Sequence, residues 1–341
     1  MPGQLFRTHE LTFRTQYAEL KERVLAAGTL LPGTPGSLAL RSGTGHSYWY
    51  RVFYSVPGKV GETLICKQED EPALNAMRER IEFHGWVARQ VSFLRKLGFQ
   101  IADKLTARVL VELHNRRLLS PGLALVGTLG YMAWLNELGA IAASARTLDV
   151  DLARRQALKL ATPLSFLQTV QATSLPFAAV PGLPSTAPPT SVKLRGVQGL
   201  RIDILAPGKT LGSVLRVPEL DWAAQTVPFY DYLLEDPHPG ALLAGGHCVS
   251  IELPQAARFV WHKFYSSTQR TGFPEKAAKD RQQALVLAAI LAESEPHLLK
   301  EAFDDAPSRM TRPIRTVAKT LMTPAGAHPE LVEILGTCLA R

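Results

Sequence analysis

The spacing of apolar and polar positions separates helical from β-rich stretches along the chain. Residues 4–27 carry apolar side chains at helical spacing and end at Gly28, which predicts a first helix. Over residues 33–67, short β-rich runs alternate with turns of glycine and proline and predict a small antiparallel sheet. A long charged pattern over residues 71–119 predicts further helices. The N-terminal region is therefore predicted to contain helices and a β-hairpin unit.

The middle of the chain alternates between short strands and helices. A brief apolar run at 123–127, bounded by turn residues, predicts a buried strand, and the helical pattern after it ends at Gly139. Residues 145–153 predict a second strand, and residues 151–173 a mostly helical segment in spite of Pro163. Residues 176–189 are rich in Pro, Gly and Ser and predict a loop or irregular edge structure. The runs 191–196 and 199–205 predict a pair of strands.

Helical patterns dominate the rest of the chain. They cover residues 256–266, 275–293 and 296–303, with a last helix near 329–340. The whole pattern predicts an α+β protein whose central mixed sheet is flanked by helices. We divide it into an N-terminal region at 1–118, a central domain at 119–255 and a helical C-terminal domain at 256–341.

Composition and charge exclude several classes of protein. The chain has 341 residues, a hydrophobic fraction of 46% and a net charge of +8, which is typical of a folded protein and not of a disordered one. Three distant cysteines, Cys66, Cys248 and Cys338, form neither a zinc cluster nor a complete disulfide set. No signal peptide or membrane span is evident, so we expect a cytoplasmic protein with reduced thiols and no membrane partner. The positive charge suits phosphate-bearing partners, but it equally suits an ordinary basic surface.

Three acidic residues are the strongest candidates for chemistry. On a strand, Asp149 and Asp151 share one face, as two carboxylates must in order to share divalent cations. Asp203 lies between Ile202 and Ile204, and a carboxylate inside an apolar strand is costly unless it is paired or bound to a metal. We therefore expect Asp203 to face the same cluster.

Other interpretations of these residues remain open. Asp149 or Asp151 could instead cap the N-terminus of a following helix. Upstream, Gly127 and Thr128 stand between a strand and a helix, where a small hydroxyl and a close backbone can hold phosphate oxygens. His247 and His262 lack the spacing of zinc ligands and are interpreted as ordinary histidines at the surface or the edge of the core.

The segments LVGTLGYMAWLNELG, TLDVDL and LRIDIL resemble the nucleotidyltransferase superfamily of the DNA polymerase β type. SYWYRVFY, IELPQAARFVWHKFYSSTQR and KAAKD extend the likeness to a bacterial branch of this fold. The arrangement of Lys263, Arg270, Lys279 and Asp280 is similar to that of abortive-infection nucleotidyltransferase toxins. Thr128 replaces the usual Ser or Gly, and the interval from Gly127 to Asp149 is longer than in compact members.

The resemblance implies a role for each matching residue. Gly127 and Thr128 would hold the β- and γ-phosphates, and Asp149 and Asp151 would bind two Mg²⁺ ions, with Mn²⁺ as an alternative. Asp203 would complete the catalytic site as a metal ligand or general base. The remaining nucleotide-binding residues would be Lys263, which is also assigned to catalysis, Arg270, Lys279 and Asp280, the last orienting Lys263 or the nucleotide.

These roles imply transfer of a nucleoside monophosphate from an NTP to an acceptor hydroxyl, with release of pyrophosphate. RNA is the expected acceptor, with a tRNA 3′ end as one form of it, and a toxin would have an antitoxin partner. The alternatives are a protein or small-molecule acceptor on the same fold, or a module that binds nucleotide or nucleic acid without turnover. The resemblance identifies the central domain as the nucleotidyltransferase palm.

Overall fold

The computed structural model describes residues 3–43, 45–56, 58–119, 122–144, 147–160, 162–196 and 199–340. In these residues the strands β1 to β14 are, in chain order, Arg7–Thr8, Ser37–Ser42, Ser47–Val56, Lys59–Lys67, Leu123–Leu125, Ala140–Ile141, Asp149–Arg154, Phe177–Ala179, Ser191–Leu194, Arg201–Pro207, Val214–Val217, Trp222–Val227, His238–Ala244 and His247–Leu253. The helices α1 to α12 are Leu11–Ala27, Glu71–Lys96, Lys104–Asn115, Gly127–Glu137, Phe166–Gln171, Tyr230–Leu233, Ala256–Gln269, Pro274–Ser294, Pro296–Asp304, Ser308–Thr316, Ala318–Ala325 and Pro329–Leu339, with a 3₁₀ turn at Pro218–Leu220.

A mixed sheet of nine strands forms the centre of the described molecule. Seven strands follow the order β11-β12-β10-β7-β5-β14-β13, and β9 pairs with β10 and with β8. The pairs β7–β10, β10–β12 and β5–β14 are parallel, whereas the others are antiparallel. This mixed sheet with its helices confirms the predicted α+β class.

The sheet and the C-terminal helices share one apolar core. Val150, Leu152, Ile202 and Ile204 are fully buried and alternate with the polar positions of β7 and β10. Trp261, on α7, is also fully buried and belongs to the same cluster. The apolar face of β7 and β10 is therefore held in the core, while the face of these strands that carries the acidic residues stays open.

The predicted N-terminal sheet is confirmed as the antiparallel order β2-β3-β4. The predicted first helix begins only at Leu11, because Arg7 and Thr8 pair with β6 instead. The pair at 191–196 and 199–205 is confirmed as antiparallel β9 and β10. Of the predicted strand at 145–153, Ala145 and Arg146 lie outside the described residues, Thr147 and Leu148 precede the strand, and residues 149–153 belong to β7.

One predicted element is wrong. Residues 151–173 are not mostly helical: β7 continues to Arg154, and the helix α5 covers only Phe166–Gln171. β7 pairs with β5 on one side and with β10 on the other, and these neighbours supply the backbone hydrogen bonds between strands. A helix at this position could not form them. Tertiary pairing overrides the local helical pattern here.

In the described parts of the chain, none of the helices has the length and apolar character needed to cross a membrane.

Candidate active site

Two neighbouring strands bring the predicted acids together. Asp149 and Asp151 lie on the same face of β7, while Val150 between them points into the core. The parallel register of β7 and β10 pairs Asp203 with Asp151. Strand geometry then separates the Cα atoms of Asp151 and Asp203 by about 5 Å, and those of Asp149 and Asp151 by about 7 Å. The alternative of a helix cap at Asp149 or Asp151 is wrong, since both are strand residues.

The turn before α4 packs directly against Asp151. Gly127 has a φ of +65°, and a Cβ atom at this position would lie 1.9 Å from Oδ2 of Asp151. The backbone N–H of Val126 donates a 3.0 Å hydrogen bond to the carbonyl oxygen of Asp151. Only glycine leaves room for the carboxylate here, so the first turn of α4, with Thr128, adjoins the acids.

Helices α7 and α8 supply a cationic group opposite the acids. The ammonium group of Lys263 is buried and donates to Oε1 of Gln283 at 2.8 Å and to Oδ1 of Asp280 at 3.3 Å. Nε of Arg270 donates to Oδ2 of Asp280 at 2.6 Å. Asp280 therefore holds two cations at once, and Lys263 is a buried residue and not a solvated surface lysine.

One cavity of about 720 Å³ is lined by every residue that the sequence predicted for the site. These residues are Gly127, Thr128, Asp149, Asp151, Asp203, Lys263, Arg270, Lys279 and Asp280. The described lining holds six Lys or Arg residues against four Asp residues, because Arg201, Lys209 and Lys276 also reach it. A cavity with acids on the sheet and an excess of cations is chemically suited to a polyphosphate accompanied by metal ions.

Burial and neighbouring charges shift the ionisation of the central groups. Burial and, after it, the charges of Asp203 and Asp149 raise the pKa of Asp151 to about 6 against the opposing effect of Lys263. Burial lowers the pKa of Lys263, which its contact with Asp280 partly offsets. Burial also acts to raise the pKa of Asp280, but Lys263 and Arg270 outweigh it and leave that pKa below its usual value. Asp151 thus lies where added positive charge would be most stabilising.

Sequence reasoning missed a contact that involves Asp203. Nε of Arg201 donates to Oδ1 of Asp203 at 2.9 Å, and Nη2 donates to Oγ of Ser191 at 2.8 Å. The hydroxyl of Ser191 also hydrogen-bonds to Asp203. Alternation along β10 places Arg201 and Asp203 on one face, and this is the signal that could have identified Arg201.

The two histidines occupy different places. His262 lines the cavity, and its Nε2 donates to the carbonyl of Pro228 at 3.1 Å. Burial lowers its pKa to about 4, so it is neutral at pH 7. His247 is also buried, and its Nε2 donates to the carbonyl of Leu31 at 3.0 Å. The expectation of surface or core-edge positions is thus corrected to buried positions for both.

Within the described residues, no three His, Cys, Asp or Glu side chains converge closely enough to enclose a metal ion. The three acids line one cavity, and Asp203 is engaged by Arg201.

Comparison with known proteins gives one match. The model of a family described as nucleotidyltransferase matches residues 104–308, a segment that contains all the predicted site residues. No curated protein and no solved structure gives a significant match.

Proposed function

Since this chain belongs to the nucleotidyltransferase family, we propose that it transfers a nucleoside monophosphate from an NTP to a hydroxyl group of RNA in a reaction that depends on divalent metal ions. The observation that carries the proposal is the single cavity in which β7, β10, the first turn of α4 and the helices α7 and α8 assemble the predicted residues. We place the reaction in the cytoplasm, where the three buried free thiols of the protein would stay reduced.

The oxygen donors of the cavity suit a divalent cation such as Mg²⁺ or Mn²⁺ by their chemistry. Oxygen ligands from carboxylates are what these ions prefer, and Asp149, Asp151 and Asp203 would supply them. Burial first and repulsion by Asp203 and Asp149 second raise the pKa of Asp151, and a bound cation would offset both effects. When bound, the metal would neutralise phosphate charge and lower the pKa of the acceptor hydroxyl.

The chain's own residues would divide the remaining work. Lys263, Arg270 and Lys279 would bind the triphosphate, and Asp280 is a positioning residue that fixes the first two. The backbone N–H groups of the first turn of α4, together with the hydroxyl of Thr128, would hold the β- and γ-phosphates. Binding then places the α-phosphorus beside the acids of β7.

In the proposed reaction, the acceptor oxygen forms a bond to the α-phosphorus in line with the bond to the bridging oxygen of pyrophosphate, which breaks. The leaving pyrophosphate takes that electron pair, and the acceptor proton passes to a carboxylate oxygen of Asp203. Positioning and charge neutralisation supply most of the rate enhancement in reactions of this kind.

RNA is favoured over a small molecule because the net charge is +8 and because the segment from Lys263 to Asp280 resembles that of nucleotidyltransferase toxins. A tRNA 3′ end is the form of acceptor that this likeness suggests. Because of this likeness, we also propose that expression of the protein arrests cell growth and that an antitoxin protein neutralises its activity.

The test is incubation of the purified protein with each α-³²P-labelled NTP, Mg²⁺ and total cellular RNA. The matched control is the double variant Asp149→Asn/Asp151→Asn, which keeps side-chain shape and removes both charges. We expect label in RNA with the wild type, a loss of at least about a thousandfold in the variant and no labelling in EDTA.

Two outcomes would contradict the proposal. Label that enters protein or small molecules in an acid-dependent way would replace RNA as the acceptor. Equal labelling by wild type and double variant, or none with any acceptor, would exclude catalysis by these acids. Induced expression of both forms in a bacterial host tests the toxin role, since only the wild type should arrest growth.

A further inference from the structure

A second cavity, of about 470 Å³, adjoins the candidate active site. Its described lining comes from the end of α2, the connection to α3, the helix α4 and the segment before β7, namely Arg95, Gln100, Ile101, Ala102, Asp103, Lys104, Leu129, Met132, Ser144 and Thr147. Thr147 lines both cavities. We call this cavity the side pocket, and its volume lies in the range of small-ligand sites.

Thr147 connects the side pocket to the acids of β7. Its hydroxyl oxygen accepts a hydrogen bond from the backbone N–H of Asp149 at 3.2 Å. On α4, Leu129 lines the side pocket, and Thr128, the residue before it, lines the active-site cavity. The walls formed by Thr147 and by α4 therefore continue from one cavity into the other. A group bound in the side pocket thus lies next to the place where the α-phosphate would be attacked.

The walls of the side pocket are rigidly held. The amide of the buried Asn136 accepts from the N–H of Gln100 and donates to its carbonyl, both at 2.8 Å. Ala102 exchanges backbone hydrogen bonds with β13 and the turn after it, at 2.9 and 3.0 Å. The backbone from Gln100 to Ala102 therefore needs no ordering on binding, which favours affinity.

The chemistry of the lining points to a nucleotide unit. Arg95 and Lys104 are exposed at its edge, and within the described residues neither forms an ion pair with an acid. Asp103 is occupied as the cap of α3, since its Oδ1 accepts from the N–H groups of Leu105 and Thr106. The net charge at the edge of the pocket is thus positive and suited to phosphate.

The interior of the pocket combines apolar and polar surface. Leu129, Met132 and Ile101 supply apolar contact of the kind that a base stacks or packs on. The hydroxyl oxygen of Ser144 is buried and has no hydrogen-bond partner among the described residues. A buried polar atom of this kind is costly unless a ligand or water satisfies it.

We propose that the side pocket binds the 3′-terminal nucleotide of an RNA acceptor, with Arg95 and Lys104 on its phosphates, and presents the terminal hydroxyl past Thr147. This inference rests on the proposed nucleotidyl transfer and names its acceptor site. A protein acceptor would not require two unpaired cations beside a base-sized cavity.

The test measures RNA binding directly, without turnover. Fluorescence anisotropy follows the binding of a fluorescein-labelled twelve-nucleotide RNA with a free 3′ hydroxyl to the wild type and to Arg95→Gln/Lys104→Gln. The control is Lys96→Gln, which removes an exposed charge from the same helical turn as Arg95 but outside the pocket. We expect the double variant to bind about tenfold more weakly, and the slope of log K against log salt to fall by about 1.4 for two lost phosphate contacts. Lys96→Gln should change neither.

Photocrosslinking gives the position of the RNA end. We expect 4-thiouridine at the 3′ terminus to crosslink to peptides that contain Gln100 or Met132, and the same base placed eight nucleotides inward to do so no longer. Crosslinks elsewhere only, or an unchanged affinity of the double variant, would overturn the proposal. Competition by AMP as strong as that by the RNA would replace RNA with a free nucleotide.

Failure of the two proposals can be told apart. Terminal crosslinks in the pocket without any transfer of labelled nucleotide would leave the binding site standing and remove the proposed reaction. Transfer to RNA with the same KM for RNA in wild type and Arg95→Gln/Lys104→Gln would keep the reaction and remove the side pocket as its acceptor site.

Discussion

Asp151 is the residue at which burial and like charge meet most directly. Its carboxylate packs against Gly127 and shares the cavity with Asp149 and Asp203. An acid held in this way stores unfavourable free energy in the metal-free protein, and catalytic sites often carry such residues. Two predictions follow from this local geometry, one electrostatic and one steric.

We expect Asp151→Asn to stabilise the metal-free protein at neutral pH. The pKa of Asp151 is about 6 in the folded protein against 3.8 for the free side chain, so the folded state binds more protons between these values. The free energy of unfolding of the wild type therefore falls as pH rises through this window, by up to about 3 kcal/mol.

Urea unfolding in EDTA between pH 4 and pH 8 measures this effect. The gain from Asp151→Asn should be complete above pH 6 and should vanish toward pH 4. Asp221→Asn, at an exposed ion pair with Arg216, is the control and should change stability little at any pH. A gain that is independent of pH would contradict the electrostatic explanation.

We expect Gly127→Ala to destabilise the protein by more than the backbone strain alone. The new Cβ would meet Oδ2 of Asp151, in addition to the cost of a positive φ. Gly58→Ala is the matched control, because Gly58 has a φ of +80° and open space around its Cβ position. Denaturant unfolding should show a loss of about 1 kcal/mol for Gly58→Ala and at least about 2 kcal/mol for Gly127→Ala. Equal losses would show that Asp151 moves aside freely.

At the scale of elements, the antiparallel contact of α7 with α8 depends on a buried ion pair. Lys263 and Asp280 are both nearly inaccessible to solvent, and Gln283 completes the hydrogen bonding of the lysine. Charges buried to this extent stabilise a structure only while both partners remain.

We expect Asp280→Leu to lower the free energy of unfolding by about 3 kcal/mol, because it leaves Lys263 buried without its carboxylate. The double variant Lys263→Met/Asp280→Leu should recover much of this loss, since no charge is then stranded. Chemical denaturation of the four members of the double-mutant cycle gives the coupling energy. Additive losses of stability would show that the pair does not act as a unit. We also expect Asp280→Leu and Lys263→Met/Asp280→Leu to lose nucleotide binding.

The local patterns predicted well those elements that carry their own signal. The antiparallel order β2-β3-β4 follows from short alternating runs between clear turns, and α7 and α8 follow from helical spacing. The strands β13 and β14 were not predicted. The last five residues of β13 are buried throughout and show no alternation of polar and apolar residues, whereas residues 249–253 of β14 do alternate and could have been predicted as a strand. Pairing with β5 and β10 made a strand of residues 152–154, which the local pattern had predicted as helical.

At the scale of the whole molecule, the N-terminal segment connects distant parts of the chain. The strand β1 pairs with β6, close to the central sheet, and the N–H of Leu5 donates to Nε2 of His328 at 3.0 Å. Nδ1 of His328 contacts Glu293 at 2.9 Å, and Phe6 stacks on its ring. The divisions at 118 and 255 stay a prediction, and one continuous core extends across both.

We expect His328→Ala to release this segment and to lower stability by about 1–3 kcal/mol, because the half-buried backbone N–H of Leu5 loses its acceptor. Hydrogen exchange should speed up at residues 3–9 and stay unchanged in β7 and β10. The control His297→Ala, at an exposed histidine, should alter neither stability nor exchange. Unchanged exchange at residues 3–9 would show that other contacts hold the segment.

The sequence by itself determined the α+β class, most helices, the shared face of Asp149 and Asp151, and a family resemblance that the family match supports. These properties depend on neighbours within a few residues or on motifs that are read locally. Only the tertiary structure decided that Arg201 engages Asp203, that Asp280 holds both Lys263 and Arg270, and that a side pocket opens beside Thr147. Strand register, burial and the meeting of helices are contacts between distant parts of the chain, and no local pattern encodes them.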